Sequence, residues 1–249
     1  MNKANIAIVI PAYNEYDRFP SQEFKSFLKN YPEACLCLVN DASTDQTGDL
    51  FNRLYQEFPQ QIILLNNLKN SGKAASVRKG VLHCFEEDVA HAIGYLDADL
   101  ATSLEECYSY LDYLHEKDFV FASRILKVGS VVERRFSRFL IGRILATAIS
   151  NLLDLKVYDT QCGCKVFKSE LGPLLFSQAF ISKWLFDVEL FSRLLNHFGS
   201  EEAIRRMEEV PVKRWVDRGA SKVKLSYFFR LWYDLFLIRR SHNRIKKSV

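Results

Sequence analysis

Short apolar runs recur through the first half of the chain at residues 6–10, 34–39, 61–65, 91–97 and 119–122, with longer polar or amphipathic stretches between them. Runs of this length, rich in Val, Ile, Leu and Phe, suit strands buried on both faces. Strands that alternate with helix-length segments build a parallel sheet covered by helices. Right-handed crossovers then place the carboxyl ends of the strands on one edge, where open α/β folds bind ligands. The predicted fold is α/β: a Rossmann-like, mostly parallel central sheet with flanking helices and an amphipathic carboxyl-terminal helix.

Polar residues gather where those strands should end. The fourth run closes in Asp97-Ala-Asp99, two carboxylates at i and i+2 that leave a strand on the same side, roughly 6 to 7 Å apart at about 3.3 Å per residue. Two such acids can simply cap a helix or face water. They can also bind Mg2+ or Mn2+, hard cations that prefer oxygen ligands, with a diphosphate as third partner. After the first run comes Pro11-Ala-Tyr-Asn-Glu15, in which Pro11 is expected to end the strand, Tyr13 offers a ring for stacking on a base, and Glu15 is an acid in a loop. After the second comes Asn40-Asp-Ala-Ser-Thr-Asp45, whose hydroxyls and Asp45 can cap a helix over 49–58, leaving Asp41 placed to accept the imide N–H of a uracil. Gly72-Lys73 opens the next helix. A phosphate loop would need a glycine and a hydroxyl where the chain has Asn67 and Ala74, but a helix N-terminus with Lys73 beside it can still hold a diphosphate.

The second half reads as a helix over 103–116 capped by Thr102 or Ser103, a helix over 131–153, a polar entry at 159 into a strand, and an apolar helix from 184 that opens with Asp187 and Glu189. A last strand over 209–215 is edge-like because of Pro211. Arg124 follows the fifth strand, and Arg134, Arg135, Arg138 and Arg143 open the long helix, either as a solvated face or as an anion site. From Lys213 onward there are eleven Lys or Arg against two Asp in a chain of net charge +4. The tail helix, residues 222–240, carries Leu225, Phe228, Phe229, Leu231, Trp232, Leu235, Phe236 and Ile238, then Arg239, Arg240, Arg244, Lys246 and Lys247. It suits packing on the core or lying at a membrane interface. The division expected is a domain over 1–221 and a basic helix and tail over 222–249.

With 249 residues, 48% of them hydrophobic, the chain can bury a full core. No run approaches the roughly 18 to 20 apolar residues of a membrane span, and no signal-peptide pattern precedes Ile6, so the expectation is a cytoplasmic protein, peripheral on the inner face of the membrane. No nucleic-acid-binding pattern is present, so the basic tail is read as a patch for an anionic membrane surface. The six cysteines form no C-x-x-C pair and are expected to be reduced and buried, Cys35 and Cys37 on one face of a sheet.

Taken in order, Pro11-Ala-Tyr-Asn-Glu15, Asn40-Asp-Ala-Ser43, Gly72-Lys73 and Asp97-Ala-Asp99 resemble the donor-site segments of inverting family 2 glycosyltransferases of the GT-A fold. Asp159-Thr-Gln-Cys-Gly-Cys-Lys-Val-Phe167, Trp184-Leu-Phe-Asp-Val-Glu189, Glu209-Val-Pro-Val-Lys-Arg-Trp215 and Gly219-Ala-Ser-Lys222 are similar, more narrowly, to dolichyl-phosphate β-glucosyltransferases. That resemblance implies transfer of glucose from UDP-glucose to a polyprenyl phosphate, with Mg2+ or Mn2+ at Asp97 and Asp99. It further implies donor binding by Pro11, Tyr13, Glu15, Asp41, Lys73, Asp97 and Lys222, and catalytic roles for Asp97, Asp99, Arg124 and Asp187. Arg124, Arg134, Arg135 and Arg138 would hold the acceptor; Asp187 would bind sugar hydroxyls, or act as base if the acceptor is an alcohol. Two departures stand out: Asn40 replaces the usual first acid of its motif, and Ala101 stands where mannosyl relatives carry a metal-binding Gln. The alternatives are a soluble hydroxyl acceptor and a non-enzymatic nucleotide-sugar-binding protein.

Overall fold

The computed structural model describes residues 3–133, 136–216 and 227–246, with side chains described except at 136–139, 227–229 and 243–246. Arg134, Arg135 and Lys222 lie outside the described residues, as do the side chains of Arg138, Phe228, Phe229 and Arg244. The first half alternates as expected: β1 (Ala4–Ala12), α1 (Ser21–Asn30), β2 (Ala34–Asn40), α2 (Thr47–Glu57), β3 (Ile62–Asn66), α3 (Lys73–Glu86), β4 (Ala90–Leu96), α4 (Leu104–Ser109) and β5 (Phe119–Ser123). There follow β6 (Val131–Glu133), α5 (Phe136–Leu153), β7 (Cys164–Lys168), α6 (Gly172–Phe176), α7 (Phe186–Phe198), α8 (Ser200–Arg206), β8 (Met207–Pro211), β9 (Arg214–Val216) and α9 (Tyr227–Lys246).

Seven strands form one sheet in the order β3-β2-β1-β4-β7-β5-β8. β7 runs antiparallel to β4 and β5, and the other pairs are parallel. The period-2 alternation of each strand divides the core in two. Ala7, Val9, Cys35, Cys37 and Val39 point to one face, under α3 and α7, while Ile6, Ile8, Ile10, Leu36 and Leu38 point to the other, under α1, α2 and α4. All six cysteines are buried thiols, and burial pushes Cys35 up to about 12. α9 packs on the first of these cores through Leu231, Leu235 and Ile238, while Trp232, Tyr233 and Phe236 face outward.

Several boundaries differ from the expectation. β1 continues through Pro11 to Ala12; past Val9 the strand keeps only its β2 partner, so the missing N–H of Pro11 breaks no ladder on the β4 side. The region 131–153 is not one helix, because Val131–Glu133 pairs with Arg214–Val216 as a separate two-stranded sheet. For the same reason 209–215 is two strands, with β8 at the edge of the main sheet, where Pro211 was expected. The segment 103–116 is α4 followed by a 3-10 turn at Tyr110–His115, and of the two proposed caps it is Ser103 whose hydroxyl accepts from the Glu106 N–H at 3.1 Å.

α3 lies close on the sheet because Gly80 has no side chain: a Cβ there would sit 2.4 Å from Val9 Cγ1 and 3.1 Å from Val39 Cγ2. Overpacking of that kind costs about 1–3 kcal/mol, against the roughly 1 kcal/mol of helix propensity that alanine gains over glycine. Gly80→Ala should therefore lower the urea midpoint with a net loss of about 1 kcal/mol; an unchanged or raised midpoint would show that α3 can lift off the sheet freely.

Candidate active site

The carboxyl ends of β1, β2, β4 and β5 meet on one edge of the sheet, as their parallel registers require, and the antiparallel β7 brings its amino end, Cys162-Gly163-Cys164, to the same edge. Three of the loops turn through left-handed backbone at Asn14 (φ 52°), Ala42 (φ 57°) and Leu100 (φ 49°). Asn tolerates that region, whereas for Ala and Leu it costs roughly 1–2 kcal/mol and persists only where surroundings impose it. At Leu100 the buried side chain supplies the constraint, and the turn is closed by Leu100 N–H to the Asp97 carbonyl and by Ala101 N–H to Asp99 Oδ1, both 3.1 Å.

Lys73, the first residue of α3, pairs with Asp97 Oδ1. Burial works against the charge of Lys73, but Asp97, Asp187 and Asp99 outweigh it and its pKa is raised. Asp99 is also raised, by burial first and by the neighbouring Asp97 second, so the pair favours an added cation. Gly163 explains itself here: a Cβ on it would lie 2.2 Å from Asp97 Oδ2, so the glycine leaves that carboxylate its place.

Asp41 is 3% exposed, and its carboxylate accepts from Asn67 Nδ2 (2.7 Å), Ser71 N–H (2.9 Å) and Gly72 N–H (2.8 Å). It thereby fixes the loop that delivers Lys73. Asn14 links the β1 and β2 loops through Ser43 and Thr44, and Glu15 forms an ion pair with Arg18. Tyr13 sits partly exposed on the same loop, and Pro11 lies just inside β1.

Asp187 is buried at the start of α7, where its Oδ1 accepts from the Tyr95 hydroxyl and pairs with Lys165 Nζ at 2.6 Å. Lys165 is fully buried in β7, also donates to the Cys162 carbonyl at 2.6 Å, and was not singled out from the sequence. Its signal was there: a lysine inside an apolar strand needs an acid partner to be buried at all. Burial and Asp187 together hold the Tyr95 phenol well above its ordinary pKa, so it remains a donor.

Arg124 does not project freely. Asp159 grips it through Nε (2.6 Å) and Nη2 (2.8 Å), and its guanidinium lies 5.4 Å from the Trp215 ring centroid. The Asp159 backbone N–H is held in turn by Glu209, and Arg143 stacks on Tyr158 next to it. Burial opposes the charge of both partners, yet the contact with Arg124 lowers Asp159 and the contact with Asp159 raises Arg124. A separate cavity of ≈ 320 Å³ near Glu106, Tyr110, Tyr113, Lys127 and Lys213 is lined by none of these carboxylates.

A carboxylate with a depressed folded pKa stabilises the fold above its unfolded value, about 3.9, and loses that contribution as pH falls through the folded value. Asp159→Asn removes the buried partner of Arg124 and should cost about 3–5 kcal/mol near neutral pH. Its urea midpoint should also fall less than that of the wild type between about pH 4 and pH 2. Parallel acid profiles for the two proteins would count against the pair.

Residues 7–171 match the profile described as Glycosyl transferase family 2. A dolichyl-phosphate beta-glucosyltransferase of Trichomonas vaginalis is 33% identical over 249 residues, covering 92% of this chain and 69% of that protein. The Homo sapiens dolichyl-phosphate beta-glucosyltransferase is 28% identical over 202 residues, covering 74% of this chain and 61% of its own length. Among solved structures, glucosyl-3-phosphoglycerate synthase from Mycobacterium tuberculosis in complex with Mn2+, UDP and glucosyl-3-phosphoglycerate superposes with a TM-score of 0.65 at 15% identity, over 96% of this chain and 80% of that one. A mannosyltransferase from Pyrobaculum calidifontis superposes with a TM-score of 0.62 at 17% identity, over 98% of this chain and 65% of that one, and shares the fold. With a mostly parallel sheet whose loops carry Asp97 and Asp99 at its carboxyl edge, the chain belongs to glycosyl transferase family 2 and has the GT-A fold.

Proposed function

We propose that this glycosyltransferase moves glucose from UDP-glucose to a polyprenyl phosphate presented at an anionic membrane surface. The observation that carries the reading is the Asp97–Asp99 pair, backed by Lys73 and given room by Gly163, in a chain related over most of its length to dolichyl-phosphate beta-glucosyltransferases. Among the described residues no third His, Cys, Asp or Glu joins a metal cluster, so the two carboxylates suit a Mg2+ or Mn2+ ion that takes its other ligands from a diphosphate and water. Such an ion offsets the charge that grows on departing UDP.

The protein's own groups do the rest. Tyr13, Glu15 and Asp41 border the uridine, with Pro11 near the end of β1 before the loop of Tyr13 and Glu15, and Lys73 adds positive charge beside the diphosphate, with Lys222 assigned to the same end. Asp187 Oδ2 accepts from none of the described residues and is left for a sugar hydroxyl, while Tyr95 and Lys165 fix Oδ1. A phosphate acceptor, with a second pKa of about 6, is largely ionised at neutral pH and needs no general base. Arg124, Arg134, Arg135 and Arg138 are assigned to that anion. Because Arg124 already pairs with Asp159, it contributes there through its field and as an anchor for the loop.

No described helix is long and apolar enough to cross a membrane. The surface is instead met by the outward faces of two packed helices, Leu140, Ile141 and Ile144 on α5 and Trp232, Tyr233 and Phe236 on α9, with Arg239 and Arg240 beside them. Basic residues near an anionic surface contribute about 1 kcal/mol each and are screened by salt. Incubation with radiolabelled UDP-glucose and polyprenyl phosphate in anionic vesicles should yield a lipid-extractable product, reduced by raised salt. Label appearing only in a water-soluble glycoside would replace the lipid phosphate by a hydroxyl acceptor.

A further inference from the structure

We propose that Lys183 is a donor-binding cation of this active site and that Asp234, on the carboxyl-terminal helix, positions it. The inference rests on the reading of the edge as a nucleoside-diphosphate-sugar site. Lys183 lies in the loop between α6 and α7, and its Cδ is 3.5 Å from where a Cβ of Gly72 would stand, at the entry to α3 beside Lys73. Its side chain is exposed, and its ammonium has no ion-pair partner among the described residues. Four other described cations of this edge already face an acid: Lys73 pairs with Asp97, Lys165 with Asp187, Arg124 with Asp159 and Arg18 with Glu15.

Counting charges shows why a further cation belongs there. Asp97 and Asp99 balance one divalent ion, and the diphosphate of a nucleotide sugar carries two negative charges against, among the described residues already named, the single positive charge of Lys73. One negative charge is left over, and a second appears on the nucleoside diphosphate as the sugar departs. Lys183, reaching over Gly72 on its flexible stem, can neutralise the first, and its attraction strengthens as the second develops.

The loop holding Lys183 is fixed by two buried acids. Glu189 accepts from the Ile181 and Ser182 N–H groups at 3.0 and 2.9 Å. Asp234 Oδ2 accepts from the Ser182 hydroxyl at 2.6 Å, which directs the lone pairs of that hydroxyl to the N–H groups of Trp184 (3.3 Å) and Leu185 (3.0 Å). Ser182 and Asp234 are 1% and 5% exposed, so the bond is made away from water and its loss is felt. Through it, one carboxylate of α9 sets the turn on which Lys183 stands.

Calorimetric titration of UDP with Mn2+ present tests this on the full chain. Lys183→Met, at an exposed position, should weaken UDP binding about tenfold, as loss of one charge-assisted contact does, and Lys183→Arg should restore most of it. Asp234→Ala should weaken UDP binding in the wild-type background but not in Lys183→Met. Asp234→Asn, whose amide oxygen can still accept from Ser182, should stay close to wild type. Should Asp234→Ala fail to fold, Ser182→Ala removes the Asp234 bond together with the Trp184 and Leu185 bonds, and it too should weaken UDP binding in the wild-type background but not in Lys183→Met. UDP affinity unchanged in Lys183→Met, or effects of the two sites that simply multiply, would overturn the inference while leaving the donor reading intact. A wild-type protein that does not bind UDP would overturn both.

Discussion

The sheet of this protein gathers acids where its parallel strands end, and the candidate active edge depends on how that repulsion is relieved. Asp97, Asp99, Asp159 and Asp187 converge there from β4, the loop before β7 and the start of α7. Three of them are held by a cation brought in from elsewhere in the fold: Lys73 from α3, Arg124 from just past β5, Lys165 from β7. Asp99 is the exception. It accepts a backbone N–H in its own turn, and burial beside Asp97 raises its pKa, which makes it the member of the group with most to gain from a divalent cation.

The pairs divide the work between holding and binding. Lys165–Asp187 is buried from end to end, and removal of either partner would strand a charge in the core; the pair and the Tyr95 hydroxyl hold Asp187 Oδ1 in place beneath the candidate site. Arg124–Asp159 ties the end of β5 to the segment that precedes Gly163, and so reaches Asp97 through the packing of that glycine against its carboxylate. Asp41 plays the corresponding part for α3, its oxygens accepting from the loop that ends in Gly72. Sites built this way are preorganised: the side chains that meet a ligand are oriented before it arrives.

Much of this was legible in the sequence, and the reason is local. Apolar runs bounded by turn residues gave strands β1 to β5 to within a residue or two, and Asp97, Asp99, Lys73 and Asp41 follow from their positions after those runs. What could not be read was pairing at a distance. β6 and β9, three residues each, carry no periodic signal of their own and exist only because each supplies the other's partner. The bonds from Asp187 to Lys165 and from Ser182 to Asp234 join residues 22 and 52 positions apart. Lys165 was within reach of sequence reasoning, as a charge inside the apolar stretch Cys-Lys-Val-Phe, but its partner was not.

The central claim is that the Asp97–Asp99 pair and a nucleoside diphosphate share one divalent cation. Titrating UDP into the protein with Mn2+ and again with EDTA, for wild type and for Asp99→Asn, measures that sharing directly. The account predicts that EDTA weakens UDP binding of the wild type by about tenfold or more, and that Asp99→Asn shows the weakened value whether or not Mn2+ is present. Equal UDP affinity in all four titrations would contradict it.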